Sequence, residues 1–139
     1  MALWTVDLTT QDGAEGAAQQ GGFACLLAAA LGVIGLLFLW GALLGLDPRA
    51  LGYVLGPALA EIAIFVIAGF RLRAGRGLVW GGVAAFVLLL ELLAKIAAFN
   101  IIGLVINSVL LMGTLNGLRG AWALRRGFVD TEEAAAIFE

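Results

Sequence analysis

Three ionisable side chains stand inside otherwise apolar runs of this 139-residue chain: Glu61, Glu91 and Lys95. Such a group costs about 2.5–3.5 kcal/mol in hydrocarbon on insertion scales, so it turns toward a bundle interior. A carboxyl group there can hold a proton or a cation, or it can hydrogen-bond one helix to another. Glu61 lies about 15 Å from the start of its span at a rise of ~1.5 Å per residue, close to the midplane. Pro57, one turn earlier, cannot donate to the Tyr53 carbonyl, which predicts a kink beside the acid. Glu91 and Lys95 are four apart with the acid first, the favourable order for an ion pair on one helical face. Counting along antiparallel hairpins sets Glu91 level with Gly56 and near Asn107 and Ser108. The expected polar cluster is therefore Glu91, Lys95, Asn107 and Ser108, with the Gly52 and Gly56 face giving it room. For Glu61, helix bonding and an ion, proton or substrate role both stay open.

Other chemistry has little to build on. The chain has no histidine, which removes the usual haem ligand, the commonest zinc ligand and the commonest general base. Cys25 is the single cysteine, so neither a disulfide nor a CxxC metal or redox motif can form, and it reads as a small apolar helix residue. No serine has a base to activate it, and no glycine-rich loop joins a strand to a helix. These absences lead us to expect no enzyme activity, cofactor or metal. Eight basic residues against ten acidic ones, a net charge of -2, give no field for nucleic acid.

The elements that must position these residues are membrane helices. With 63% hydrophobic and 13% charged residues and a mean hydropathy of +1.06, a water-soluble globule is excluded. No charge occurs between Glu15 and Asp47, and residues 23–46 are long enough to cross a bilayer with some tilt. Asp47, Pro48 and Arg49 break that run, and a second span follows over 51–70, ended by Arg71, Arg73 and Arg76. The third span covers 77–99 and the fourth 101–124, closed by Arg125 and Arg126. Between them Asn100 is the only turn-forming residue; one continuous helix over 77–124 would be about 70 Å long, more than twice the hydrocarbon thickness.

The fold class expected is an all-α integral membrane protein, a bundle of four transmembrane helices. Six basic residues, Arg71, Arg73, Arg76, Arg119, Arg125 and Arg126, fall on the side of both termini, against Arg49 and Lys95 opposite, which places both termini in the cytoplasm. Trp80 and Trp122 near one surface, and Trp40 and Tyr53 near the other, suit interfacial belts. Residues 1–22 form an N-terminal tail with three acids and no basic residue, unlike a cleavable leader. Within it Thr10 to Gln20, with a Thr cap and early acids, could form a short interfacial helix leading into the first span, with Gly21 and Gly22 allowing a bend. Residues 127–139 form an acidic tail in which Asp130 to Phe138 could make a short capped helix.

Glycine is abundant, and several pairs sit four apart within the spans: Gly41 with Gly45, Gly52 with Gly56, and Gly113 with Gly117. Small residues at this spacing let backbones approach closely and predict tight helix packing, within the chain or between copies. Asn100 reads as a turn residue, Asn107 as an interhelical bond, and Arg119 as an anchor supported by Asn116.

Two resemblances follow from these residues. The stretch Asn116-Gly117-Leu118-Arg119-Gly120 at the close of the fourth span resembles the N-G-x-R-G signature of small uncharacterised bacterial four-helix membrane proteins. Such proteins also have an alanine- and glutamine-containing lead-in, an acid in the second span, an arginine-rich inner loop and a lysine late in the third. Here these are the stretch 14–22, Glu61, Arg71 to Arg76, and Lys95. The resemblance implies a multi-pass protein of the bacterial inner (plasma) membrane and supplies no activity. Residues 53–62 look like the first helix of small multidrug resistance exporters, whose membrane glutamate exchanges protons for cationic drugs; in this chain the acid lies in the second span. The expected function is a non-enzymatic inner-membrane bundle acting by association, as a homo-oligomer or an accessory subunit of a membrane complex. The alternative is a small proton- or cation-coupled transporter or channel using Glu61. The lipid bilayer is the expected surrounding, with this chain itself or another membrane protein as partner.

Overall fold

The computed structural model describes residues 6–127. They form four helices, α1 (Gln11–Leu43), α2 (Pro48–Arg73), α3 (Leu78–Ala97) and α4 (Ile101–Arg126), and among the described residues there is no strand. All four are long and apolar enough to cross a membrane. The chain is thus an all-α, multi-pass membrane protein with a four-helix bundle. The expected helix at 130–138 lies outside the described residues.

Three of the four helix starts are fixed by a side-chain hydrogen bond, and α3 begins after Gly77 without one. Thr10 Oγ1 accepts from the Gly13 amide at 3.1 Å at the start of α1. Asp47 accepts from Arg49 and Ala50 at 2.9 and 3.0 Å, with Pro48 in the first helical turn where its missing N–H costs nothing. Asn100 accepts from Gly103 at 2.9 Å to start α4. The turn after α2 closes with two bonds, Gly75 N–H to the Leu72 carbonyl and Arg76 N–H to that of Arg71, around Gly75 at φ 69°. The turn after α3 has the same pattern: Phe99 donates to Ile96 and Asn100 to Lys95, with Phe99 at φ 53° in the position that usually requires glycine. Asn100 therefore ends one helix and begins the next, which is how a turn without glycine or proline separates α3 from α4.

α1 packs along both α2 and α4, α3 packs along α4 and more sparsely along α2, and α2 and α4 barely meet. Chain neighbours are spatial neighbours, the arrangement short loops impose on antiparallel helices.

The helix expected over 10–20 is present with Thr10 as its cap, but it is continuous with the first span. α1 starts at Gln11 and runs uninterrupted through Gly21 and Gly22, so those glycines mark no break. At ~1.5 Å per residue the helix is about 50 Å long. Its first half, expected as an interfacial tail, is well packed: Ala14, Ala17, Ala18, Gly21, Gly22 and Cys25 are all buried. A Cβ on Gly117 would stand 2.5 Å from Gly21 Cα, so α1 and α4 touch backbone to backbone. Gly120 receives the Ala14 carbonyl and Ala18 amide in the same way, and Gly22 faces Gly69 and the stem of Arg73 on α2. Between them Cys25 Sγ lies 3.6 Å from Thr114 Oγ1, both side chains buried.

The glycine pairs divide. Gly113 and Gly117 pack against α1 as expected. Among the described residues, Gly41, Gly52 and Gly56 have no neighbour within 4 Å and Gly45 meets only its own Ala42 carbonyl, so these four give no packing within the chain. The reason is distance along α1: its buried residues stop at Ala29, apart from Leu43, and the half of the helix beyond carries large outward-facing side chains such as Leu37 and Phe38.

Replacing Gly21 or Gly117 by leucine should therefore lower stability by about 1–3 kcal/mol through forced separation of α1 from α4. Gly41→Leu or Gly52→Leu should change it by no more than about 0.5 kcal/mol. Thermal unfolding of the four variants in one detergent, followed by helical circular dichroism, compares them directly.

Candidate functional site

Where the small-residue contacts of α1 give out, the polar residues gather. Lys95 Nζ donates to Glu91 Oε2 at 3.1 Å and to Asn107 Oδ1 at 2.7 Å, while Asn107 Nδ2 donates to the same Glu91 oxygen at 2.7 Å. The three side chains close a ring of hydrogen bonds across α3 and α4. The Lys95–Glu91 pair is the only ion pair among the described residues, with its side chains 29% and 25% exposed; Asn107 is 3% exposed. One carboxylate oxygen thus takes two charge-assisted or polar donors, and no buried side-chain nitrogen or oxygen among the described residues lacks a partner. In lipid that completeness matters, because an unpaired polar group has no water to fall back on.

Glu61 stands outside this ring on α2 and lines the same cavity as Glu91, Lys95 and Asn107. The site thus has two acids and one lysine, and it can hold one proton on the two carboxyl groups. In that state its formal charge is zero. Loss of the proton leaves one uncompensated negative charge in a low-dielectric space, which a small cation would neutralise.

A cavity of about 260 Å³ lies against these groups, and all four helices line it. α1 contributes Ala28 and Gly32, α2 contributes Glu61 and Phe65, α3 contributes Glu91 and Lys95, and α4 contributes Gly103 and Asn107. At ~30 Å³ per water in the liquid it has room for several. The described residues contain no group of three or more acids, cysteines or histidines able to hold a metal ion. The donor set suits a proton or a small monovalent cation.

The sequence expectations for this site are partly corrected. Glu91, Lys95 and Asn107 do come together. Ser108 does not join them, because its hydroxyl donates to the Leu104 carbonyl of its own helix at 2.8 Å. Gly56 does not lie beside Glu91 with Gly52; the residue level with Glu91 on α2 is Glu61, five positions further along. Equal-length hairpin counting ignores the different heights at which α2 and α3 begin, and here the offset exceeds one turn. Pro57 lies within α2 without ending it. Lys95 bends back to Asn107 across α4: a Cβ on Gly103 would meet its Cδ at 3.0 Å. Gly103 and Gly32 were not singled out in the sequence, although a glycine three residues past a helix-capping Asn was a visible hint for the first. Gly32 opens onto the side chain of Ile62 beside Glu61.

Comparisons of the chain with protein-family models, curated proteins and solved structures gave no match. The functional reading therefore rests on the geometry of the bundle.

Asn107→Leu removes a donor and an acceptor from the ring and should cost about 1–3 kcal/mol, as should Lys95→Met, which strands Glu91. Glu61→Gln should be tolerated within about 0.5 kcal/mol, since Glu61 is outside the ring and a neutral amide of the same size adds no charge to the cavity wall. Unfolding of the three variants in the same micelle, read by circular dichroism, gives the order.

Proposed function

We propose that this protein is a small proton- or cation-coupled transporter or channel, with Glu61 and Glu91 as the ion-binding pair. The observation that carries this reading is the cavity reached by all four helices, with two acids and one lysine on its wall. A purely structural polar cluster would be complete with Glu91, Lys95 and Asn107, whose hydrogen bonds satisfy one another. Glu61 is surplus to that ring and brings the second acid. Exchange of one proton for a cation keeps a site of two acids and one lysine neutral in both states, so neither state carries an isolated charge in hydrocarbon. Lys95 and Asn107 hold Glu91 ionised and oriented, and Pro57, one turn from Glu61, leaves the Tyr53 carbonyl without its helical donor, a place where α2 can adjust.

The membrane assigned under this proposal is the bacterial inner membrane, with both termini cytoplasmic, in line with the six arginines at the terminal end. Enzyme activity and cofactors have no part in it.

A second reading, association with further copies of this chain or with another membrane protein, is favoured by the four unfilled glycines. Gly41 near the end of α1, Gly45 in the turn that follows, and Gly52 and Gly56 on α2 lie at the same end of the bundle and offer backbone to a neighbouring helix. The two readings are compatible, since a channel can be assembled from copies.

Proteoliposomes containing the purified chain should dissipate an imposed proton or sodium gradient faster than empty vesicles, and Glu61→Gln should abolish the difference while the variant stays folded. Equal rates with and without protein, or a Glu61→Gln variant as active as the original, would remove the transport reading. For association, cysteine cross-linking at positions 41 and 52 in native membranes should yield dimers, and Gly41→Leu with Gly52→Leu should prevent them.

A further inference from the structure

A larger cavity, about 850 Å³, opens at the terminal end of the bundle. Four of the six arginines at that end converge on it: Arg71 and Arg73 from the last turn of α2, Arg76 from the following turn, and Arg125 from the last turn of α4. The only carboxylate on its wall among the described residues is that of Glu15, and none of the four guanidinium groups has a described carboxylate within 4.0 Å. The remaining two arginines are turned elsewhere. Arg126 stacks on the Trp122 ring at 3.7 Å, and Arg119 shares a separate surface with it.

Topology alone does not require this convergence. Arginines that only mark the cytoplasmic side need to be near the helix ends, in any direction. Here Arg73 lies across α1 at Gly22, where a side chain would collide with its stem. The wall is also two-sided: guanidinium groups on one part, and the apolar faces of Leu78 and Trp80 on another. Trp80 stands in the first turn of α3, at the depth where tryptophan meets headgroups. Guanidinium forks match phosphate oxygens in geometry and charge, and basic pockets between helices at this level suit lipid phosphate. The volume far exceeds that of a free phosphate ion and leaves space for the glycerol that carries it.

We propose that this cavity binds the phosphate of an anionic phospholipid headgroup, with Arg71, Arg73, Arg76 and Arg125 as its ligands and the Leu78 and Trp80 face against the start of the acyl chains. The site is independent of the Glu61 cavity, so it stands whether or not the chain transports ions.

The full chain, delipidated in a nonionic detergent, should be treated with phenylglyoxal in the presence of dioleoylphosphatidylglycerol, dioleoylphosphatidylcholine or inorganic phosphate, and the modification of each arginine read by mass spectrometry. Phosphatidylglycerol should slow modification of the four cavity arginines about tenfold, with little protection of Arg119 and Arg126 and far less protection by phosphatidylcholine. Equal protection by both lipids, or of all six arginines alike, would overturn the proposal. Inorganic phosphate protecting as well as the lipid at equal concentration would assign the site to free anions and overturn the lipid source. In native mass spectra, Arg73→Gln with Arg76→Gln should reduce retained phosphatidylglycerol about fivefold, and Arg119→Gln with Arg126→Gln should leave it unchanged. The protection pattern of the unmodified chain decides the matter if the first pair fails to fold. Binding that appears only when Asp130, Glu132 and Glu133 are replaced by their amides would make the acidic tail the occupant, and the proposal would fall.

Discussion

Lipid tails are as apolar as leucine, so helices within a bilayer gain nothing by hiding such side chains from it, and their contact depends on how closely backbone can meet backbone. In this bundle that contact is made by α1. Gly21 against Gly117, Ala14 and Ala18 against Gly120, and Gly22 against Gly69 bring two neighbours onto one helix. α3 then needs only to close the open side, which it does mainly along α4. The outward surface is correspondingly rich in large apolar residues, from Phe23 and Phe38 to Tyr53 and Phe86, as a lipid-facing surface should be.

The position of the polar site follows from where this contact ends. Burial on α1 continues to Ala29 and then stops until Leu43. Ala28 and Gly32 at that limit line the cavity, and the groups facing them from the other helices are Glu61, Glu91, Lys95 and Asn107. Small residues seal the bundle toward the termini; further along, hydrogen bonds take over the task of holding α3 to α4. Two kinds of cohesion therefore divide the length of one bundle, and the polar groups occupy the part where backbone contact leaves space to be filled.

Much of this was legible in the sequence. The absence of charge between Glu15 and Asp47, the break at Pro48 and the arginines at 71–76 and 125–126 marked four spans, because burying a charge in hydrocarbon is costly wherever it occurs. The Glu91–Lys95 pair was legible for a local reason: a spacing of four on a helix does not depend on what surrounds it. The partner on α2 was not, since the relative height of two helices depends on turn geometry and tilt, and an error of five residues exchanges Glu61 for Gly56. Over residues 11–22 the Thr10 cap and the early acids marked a helix, but the charged and amide residues suggested an interfacial position and hid its packing against α2 and α4. Ala14, Ala17, Ala18, Gly21, Cys25 and Ala28 recur at three- and four-residue intervals along one face, and that stripe was the available signal for a packed helix. Pairs such as Gly41 with Gly45 have the same spacing and no partner among the described residues, so spacing identifies a surface capable of close approach without saying which helix approaches it.

The turn at Phe99 and Asn100 also fixes rotation. Asn100 donates to Lys95 to finish α3 and accepts from Gly103 to start α4, which leaves no slack residue between the two helices. Each residue added or removed there would turn α4 by ~100° about its axis relative to α3. Asn107 lies two turns beyond that joint, so its aim at Glu91 and Lys95 is set by the angular phase the turn imposes. A left-handed phenylalanine, 89% exposed to the surroundings, thereby acts as the indexing pin of a polar site that it never touches.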